Sequence, residues 1–533
     1  MKKQTFLQGA FILTVAGLVS KVLGALYRIP FARIVGEEGM GLYQMAYPLY
    51  TMILAISTTG IPIAISILVA ERDARGDSRG TEKVFWVSLA ILALVGLSSS
   101  YLLFAGSRFL ASSVLKDQRA ALAIIGIAPA LFFTSVLGAF RGYFQGLQSM
   151  YPTAVSQVIE QVVRVGTVLI AAHLLLSRGI EYAAAGATFG AATGAIAGLI
   201  YVAFLYFVYG LRRRQSRGQG TGSDSIANVI RQIFYLAVPI SLEALVVPLM
   251  QTLDAVIVPD RLQAMGYSVQ RATGLFGELS GMASTLTNLP MIFTISLATS
   301  LVPAISEAWS FRNRILVSDR ISAAIRLTGI ITLPSALGLM ALAGPISGLL
   351  FDNTAAGIPL LYLAPGILFV GFYQVSGAAL QGLGRTTIPV VNMFMGAILK
   401  VMMNYWLIPV PWLAIRGAAL GTTAAFLLAA FLNFRALRQI IGYTPRWPCL
   451  LLKPTIAVTM MTVCVVKVYA YLAGCRPGIA LPTLTGILVG MVVYALALVL
   501  AGEITREEVS AIPMIGRQMA LVLPFWTHKG IKR

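Results

Sequence analysis

The sequence predicts an all-α polytopic membrane protein of 14 transmembrane helices, arranged as two six-helix lobes followed by two C-terminal helices. Three observations predict it. Of 533 residues, 58% are hydrophobic and only 11% charged, and a mean hydropathy of +0.82 lies far outside the range of soluble domains. Apolar runs long enough to cross a bilayer recur along the whole chain. Short motifs of the first half return in the second, after a polar linker.

The runs fall near 7–30, 42–70, 83–106, 120–146, 153–176, 182–210, 232–258, 274–305, 321–344, 357–382, 387–408, 415–434, 450–473 and 480–501. The first carries charge inside it, and GEEGMGLYQ reads as the loop that follows. The second is interrupted by Gly60 and Pro62, breakers that within a span signal bending or a lined cavity. The fourth ends in FRGYFQGLQSMYP, and the fifth opens at Pro152, a favoured first-turn position. The longest polar stretch, RRRQSRGQGTGSD, divides the halves. The boundaries are therefore 1–211 for an N-terminal lobe, 212–228 for a cytoplasmic linker, 229–445 for a C-terminal lobe and 446–502 for the last two helices. Residues 503–533 form a tail whose Arg506, Arg517, Phe525, Trp526 and Lys529 suit the inner interface.

After the linker the pattern recurs. Gly41-Leu42-Tyr43 and Ile61-Pro62-Ile63-Ala64-Ile65-Ser66 are echoed by Gly274-Leu275-Phe276 and Leu301-Val302-Pro303-Ala304-Ile305-Ser306. Gln145-Gly146-Leu147, a proline and Arg164 are echoed by Gln381-Gly382-Leu383, Pro389 and Lys400. Because six is even, both repeats enter from the same side, so their axis runs along the membrane normal and a substrate site is expected between them.

The net charge of +20 does not point to nucleic acid, since no soluble stretch is long enough to present a basic face with stacking aromatics. Topology accounts for it. With the N-terminus inside, most of the 40 Lys and Arg, Arg141 among them, fall in inner segments, which makes both termini cytoplasmic. The first run is too long for a cleavable signal and continues through charge. Cys449, Cys464 and Cys475 lack CxxC spacing and read as neither a disulfide frame nor a metal site. There is no GxxxxGK[ST] phosphate loop, and His173 and His528, the two histidines, provide no hydrolytic constellation. No cofactor is expected; the membrane potential or a monovalent cation gradient remains as the energy source.

Four groups of residues carry the candidate chemistry. Gly17, Lys21, Gly24 and Arg28 share one helical stripe, with the two cations two turns, roughly 10 Å, apart. A lysine near mid-bilayer costs about 2.5–3.5 kcal/mol on insertion scales, so such a residue faces a bundle interior or a watery cavity, or pairs with a carboxylate. Thr153, Gln157, Glu160, Arg164 and Thr167 form a second polar stripe, in which Glu160 and Arg164 either neutralise each other or offer Arg164 to an anion. Lys400 and Asn404 hold the corresponding helix of the second half, with Asp254 or Glu243 as the nearest carboxylates for Lys400. Helix seven, with Pro239, Glu243, Pro248 and Asp254, reads as a bent helix, and Asp254 with polar atoms of helix eleven as a possible coupling-ion or switch site.

The run Ser20-Lys21-Val22-Leu23-Gly24 with Phe31-Ala32-Arg33-Ile34-Val35-Gly36 resembles the first-helix motif of the MurJ lipid II flippases. GEEGMGLYQMAYP, FRGYFQG, SQVIEQVVR and IEYAAAGA resemble more closely the stage V sporulation protein B and YtgP branch of that family, within the multidrug/oligosaccharidyl-lipid/polysaccharide exporter superfamily. The resemblance covers essentially the whole chain. It implies a bacterial cell membrane, a V-shaped cavity that alternates between two openings, a lipid-tail groove in the last two helices, and transport roles for Lys21 and Arg28. Thr285 stands where the MurJ branch has a functional arginine, and GMGLYQ lacks that branch's acidic residue. Arg164 and Lys400 are expected to take over the missing charge.

The expected function is a flippase that moves an undecaprenyl-diphosphate-linked glycan, foremost the peptidoglycan precursor lipid II, from the inner to the outer leaflet. Lys21, Arg28, Arg164 and Lys400 would bind the diphosphate, with Glu160 as internal counter-ion. Its partners would be the lipid-linked glycan, membrane lipid, and cell-wall or spore-cortex synthesis proteins. The alternatives are a flippase for another polysaccharide precursor, a drug/cation antiporter of the same architecture, a glycan polymerase, and a structural anchor. An antiporter would favour acids in its cavity, and a polymerase a large external loop with acid/base residues.

Overall fold

The computed structural model describes residues 6–214, 225–475 and 478–503. The tail residues Arg506, Arg517, Phe525, Trp526, His528 and Lys529 lie outside the described residues, as do most of the basic linker and the side chain of Glu243.

Every regular element among the described residues is helical. The first half comprises α1 Phe6–Leu26, α2 Arg28–Leu54, α3 Gly60–Ala74, α4 Ser78–Ala105, α5 Ala120–Gly146, α6 Tyr151–Leu175 and α7 Ile180–Arg214. After the linker come α8 Ile226–Ala264, α9 Val269–Phe276, α10 Ser284–Ser310, α11 Arg314–Ala341, α12 Ala343–Phe351 and α13 Gly357–Leu363. The chain continues through α14 Gly366–Gly382, α15 Thr387–Leu407, α16 Ile415–Ile441, α17 Trp447–Cys475 and α18 Ala480–Leu500.

Among the described residues, eleven helices are long and apolar enough to cross a membrane, or up to 13 with each of two bent pairs taken as one span. The first of these, Ile12–Leu54, is itself divided at Gly36, whose φ of 67° and ψ of −171° only glycine adopts freely. Dividing it there yields the fourteen spans that the apolar runs predict.

One local expectation needs correction. GEEGMGLYQ is helix rather than loop, because Gly36 alone makes the turn and a new arm starts at Glu37, with two acids in its first turn where the helix dipole favours them. Conversely, α1 and α2 run into each other at Tyr27, whose N–H bonds the Leu23 carbonyl while Phe31 N–H bonds that of Tyr27. Lys21 and Arg28 thus sit on one unbroken helix. Gly60 serves a contact: a Cβ there would run into the Ala237 carbonyl of α8, and the irregularity precedes it as a π-helical turn, Ala55–Thr59.

The chain forms two compact units, one of residues 1–285 with 401–418, the other of 286–400 with 419–533. In the first, α6 and α7 approach through Gly186, Gly190, Gly194 and Gly198, one per turn of α7. A Cβ at Gly194 would lie 2.5 Å from the Glu160 carbonyl and 3.0 Å from Arg164 Cβ. Small residues at four-residue spacing are what lets two spans touch backbone to backbone. In the second unit Asn433 bonds Asn392 at 2.8 Å and Ser376 at 3.2 Å, and Arg326 donates to the Glu503 carbonyl at 2.8 Å.

One packing contact occurs once in each unit. A Cβ at Gly146 would meet Val69 Cβ at 2.6 Å and the Ser66 carbonyl at 2.7 Å; at Gly382 it would meet Ile305 Cβ at 2.7 Å and the Val302 carbonyl at 2.8 Å. All three positions recur 236 residues later.

The glycine ladder gives a direct test. Gly194→Leu should destabilise the protein by about 1–3 kcal/mol through overpacking, read as a lower thermal midpoint in detergent. Gly17→Leu, where a Cβ meets nothing within 4 Å, should leave it unchanged.

Candidate functional site

The polar stripe of α6 contains an odd-numbered charge cluster. Glu160 accepts from Arg164 Nη2 at 2.7 Å through one carboxylate oxygen and from Arg141 Nη2 at 2.9 Å through the other. All three side chains are largely buried, at 13–15% exposure. Arg141 also donates from Nε to Ser156 Oγ at 2.9 Å. It therefore lies inside α5 and is bonded, where the sequence analysis grouped it with the inner-segment cations. One carboxylate serves two guanidiniums, so the cluster keeps a net positive charge. Arg164 Nε, Gln157 Oε1 and Thr153 Oγ1 are buried without a partner, an unsatisfied state that is costly in a low-dielectric interior.

Lys21 is exposed and makes no ion pair among the described residues; the carboxylate partner weighed for it does not exist there. Gly24, one turn on, faces Gln161 of α6, whose Nε2 would lie 3.2 Å from a Cβ. Arg28 reaches Thr285 Oγ1 at 3.5 Å, a neutral acceptor that leaves its charge uncompensated, and its buried Nε has no partner. Thr285 thus faces a first-helix cation. Tyr43 and Tyr47 lie within electrostatic range of both Arg28 and Arg164.

A second polar feature joins α8 to the end of α15. Asn404, 1% exposed, donates to Asp254 Oδ1 at 2.9 Å, leaving its own buried Oδ1 unpartnered. Arg261 lies over the Tyr405 ring, 4.5 Å from its centroid. The axis of α8 bends by 47° between Leu242 and Ala244, where Pro248 cannot donate to the Ala244 carbonyl. Lys400 is buried one turn before Asn404 and is assigned to the other compact unit.

A third feature is a charged clasp over the start of the second span. Arg271 binds Glu37 at 2.7 Å and Glu278 at 3.3 Å. Arg119 binds Asp117 at 2.7 Å and also Glu38, and Thr273 donates to Asp117 at 2.7 Å. The Asp117 carboxylate raises the pKa of Arg119 above its ordinary value, so this cation stays charged. Gly41 against the Thr273 carbonyl and Gly277 against that of Glu37 leave no room for a Cβ.

Comparison with known proteins follows this architecture. A family model described as polysaccharide biosynthesis protein matches residues 6–309, more than half the chain. The chain belongs to this family. A second model, MatE, matches residues 279–406. Stage V sporulation protein B of Bacillus subtilis is 31% identical, over 97% of this chain and 99% of its own. Lipid II flippase MurJ of the same organism is 27% identical over 86% of each. A solved structure of lipid II flippase MurJ in an inward closed conformation aligns with a TM-score of 0.68 at 16% identity, over 92% of this chain and 99% of that one. As a member of the polysaccharide biosynthesis protein family, this chain is a multi-pass membrane protein of the superfamily that the resemblance indicates.

Three signals were available in the sequence but unused. Gly186, Gly190, Gly194 and Gly198 spell a small-residue ladder; Tyr43, Tyr47 and Tyr50 keep helical spacing; Arg141 is a cation inside an apolar run. Among the described residues no three His, Cys, Asp or Glu side chains converge to hold a metal.

Charge arithmetic predicts an unequal response. Glu160→Gln strands two guanidiniums and should destabilise the protein by about 3–5 kcal/mol. Arg141→Gln leaves the Glu160–Arg164 pair whole and should be milder, and the double variant should recover part of the Glu160→Gln loss. Thermal unfolding of the three variants in one detergent measures the cycle; equal effects of the two single changes would contradict the shared-carboxylate geometry.

Proposed function

We propose that this protein is a flippase that carries an undecaprenyl-diphosphate-linked glycan, lipid II being the substrate, from the inner to the outer leaflet of the bacterial cell membrane by alternating access. The observation that carries the reading is the cluster of Arg141 and Arg164 around one Glu160, with a buried Arg164 Nε left over. Guanidiniums bind phosphate oxygens in a fixed fork geometry, and a membrane interior keeps an excess cation only where function requires it. Lys21 and Arg28, each lacking a carboxylate among the described residues, add to the anion-binding set. The name of the MurJ relative supports the substrate class, and the stage V sporulation relative supports partners among cell-wall or spore-cortex synthesis proteins. A drug/cation antiporter is disfavoured by the basic character of this cluster.

The protein is read as a transporter and not an enzyme, with both termini cytoplasmic. An inside-negative potential favours outward movement of negative charge, or inward return of an empty cationic site, at about 2.3 kcal/mol per charge per 100 mV. Asp254 with Asn404 is the place where a monovalent cation would couple, beside the unpartnered Asn404 Oδ1.

Two measurements test these assignments. In cells depleted of their own flippase, the wild type should restore exposure of lipid II on the outer leaflet, and Lys21→Ala, which breaks no hydrogen bond or ion pair among the described residues, should fail at equal expression. Normal exposure with Lys21→Ala would remove that residue from the binding set. In proteoliposomes of fixed potential, Asp254→Asn should abolish any stimulation by sodium over choline; stimulation that persists would place the coupling ion elsewhere.

A further inference from the structure

The tyrosines of the first two helical arms form a rail with one hydroxyl left over. Tyr43, Tyr47 and Tyr50 stand on one face of α2, with ring centroids 5.6 Å apart for the first pair and 5.9 Å for the second. The outer hydroxyls are engaged, Tyr43 with Tyr27 at 2.8 Å and Tyr50 with Thr134 at 3.2 Å. The Tyr47 hydroxyl makes no hydrogen bond among the described residues, and it is not one of the buried, sealed-off polar atoms. Tyr47 is half-buried, whereas Tyr43 and Tyr50 are buried.

Both ends of the rail lead to cations. Tyr27 precedes Arg28 in the chain, and Thr134 lies two turns before Arg141 on the same face of α5. From Tyr43 to Tyr50 the rail rises roughly 10 Å, and its middle member is within electrostatic range of both Arg28 and Arg164. Among the described residues no guanidinium sits over the Tyr47 ring, so the residue is not held as a cation–π partner. The Tyr43 ring stacks on it and the Tyr50 ring packs against it at a tilt, while its hydroxyl is left open.

We propose that Tyr47 is a direct substrate ligand, its hydroxyl donating a hydrogen bond to a phosphate oxygen of the diphosphate bound between Arg28 and Arg164. The proposal rests on the flippase reading and adds a ligand to it. A phenol suits the position. It donates a short, charge-assisted hydrogen bond to an anion, and it adds no charge that an empty site would have to neutralise inside the membrane. Phenylalanine would give the same stack without the donor.

The test uses the full-length protein in lipid nanodiscs, farnesyl diphosphate as the probe, and the variants Tyr47→Phe, Tyr43→Phe, Tyr50→Phe and Arg164→Gln. Tyr47→Phe should bind about tenfold more weakly, the loss of one hydrogen bond to a charged group, with the unliganded thermal midpoint unchanged because no internal bond is lost. Tyr43→Phe and Tyr50→Phe should lower that midpoint and keep affinity within about twofold, since their hydroxyls are already spent inside the protein. Wild-type affinity in Tyr47→Phe, alongside weakened binding in Arg164→Gln, would overturn the role of Tyr47 and leave the diphosphate site standing. Equal losses in all three phenylalanine variants would overturn it as well, as an effect of the rail's packing. Absence of binding by the wild type would remove the diphosphate reading itself, and the Tyr47 assignment with it.

Discussion

Much of the first compact unit depends on how a single carboxylate is shared inside a membrane span. Glu160 holds Arg141 and Arg164 at hydrogen-bonding distance, and removing it would leave two cations facing each other in a medium that screens poorly. The scaffold around it serves that geometry. The glycine ladder of α7 brings the Glu160 backbone within van der Waals reach of the neighbouring helix, which fixes where the carboxylate starts. Ser156 holds Arg141 from the opposite side, and Thr167 bonds Thr193 two turns away at 2.8 Å, so α6 cannot rotate without breaking contacts on two helices.

The repeat shows scaffold and charge separated. The contact of Gly146 with Ser66 and Val69 returns, 236 positions on, as that of Gly382 with Val302 and Ile305. At the same offset the charged trio becomes Gly377, Gly396 and Lys400. A close helix crossing demands a small residue and a carbonyl opposite, which constrains sequence tightly. A charge cluster demands only that cations and acids balance locally, so one half can hold three charged groups where the other holds one lysine. The two halves therefore share a packing rule while differing in electrostatics.

Much of the fold was legible because spans announce themselves through length and apolarity, and the pair Glu160–Arg164 because i,i+4 spacing is a local property. What stayed hidden was either non-local or reduced to one dihedral. Arg141 and Glu160 are 19 residues apart on different helices, and no periodicity links them. GEEGMGLYQ looks like a loop because glycine and acids usually mark one, yet Gly36 completes the turn alone and its successors continue as helix. The clasp could not be foreseen for a related reason: Arg271 and Glu37 are 234 residues apart, and each reads alone as an interfacial charge. The sequence reading expects Asp254 and polar atoms of the 387–408 run to form an ion site; that Asn404 of α15 bonds Asp254 directly, with its own amide oxygen left over, depends on packing between distant helices.

On the flippase reading proposed above, the count of acids in the Arg141–Glu160–Arg164 cluster would bear on turnover as well as on binding. A site that releases its ligand must attract it weakly enough to let go, as permeation sites must. Without an acid, Arg141 and Arg164 would repel each other when empty and would hold a diphosphate too firmly to discharge it. With two acids, the guanidiniums would be neutralised and an anion would gain nothing by entering. A single carboxylate, bonded through both oxygens, lies between these extremes: an arriving phosphate can replace Glu160 at one guanidinium while Glu160 keeps the other, and the carboxylate can return as the phosphate leaves. In such an exchange each guanidinium would keep an anionic partner, carboxylate or phosphate, throughout. That is the condition for passing a doubly charged group through a low-dielectric interior without stranding a charge at any step.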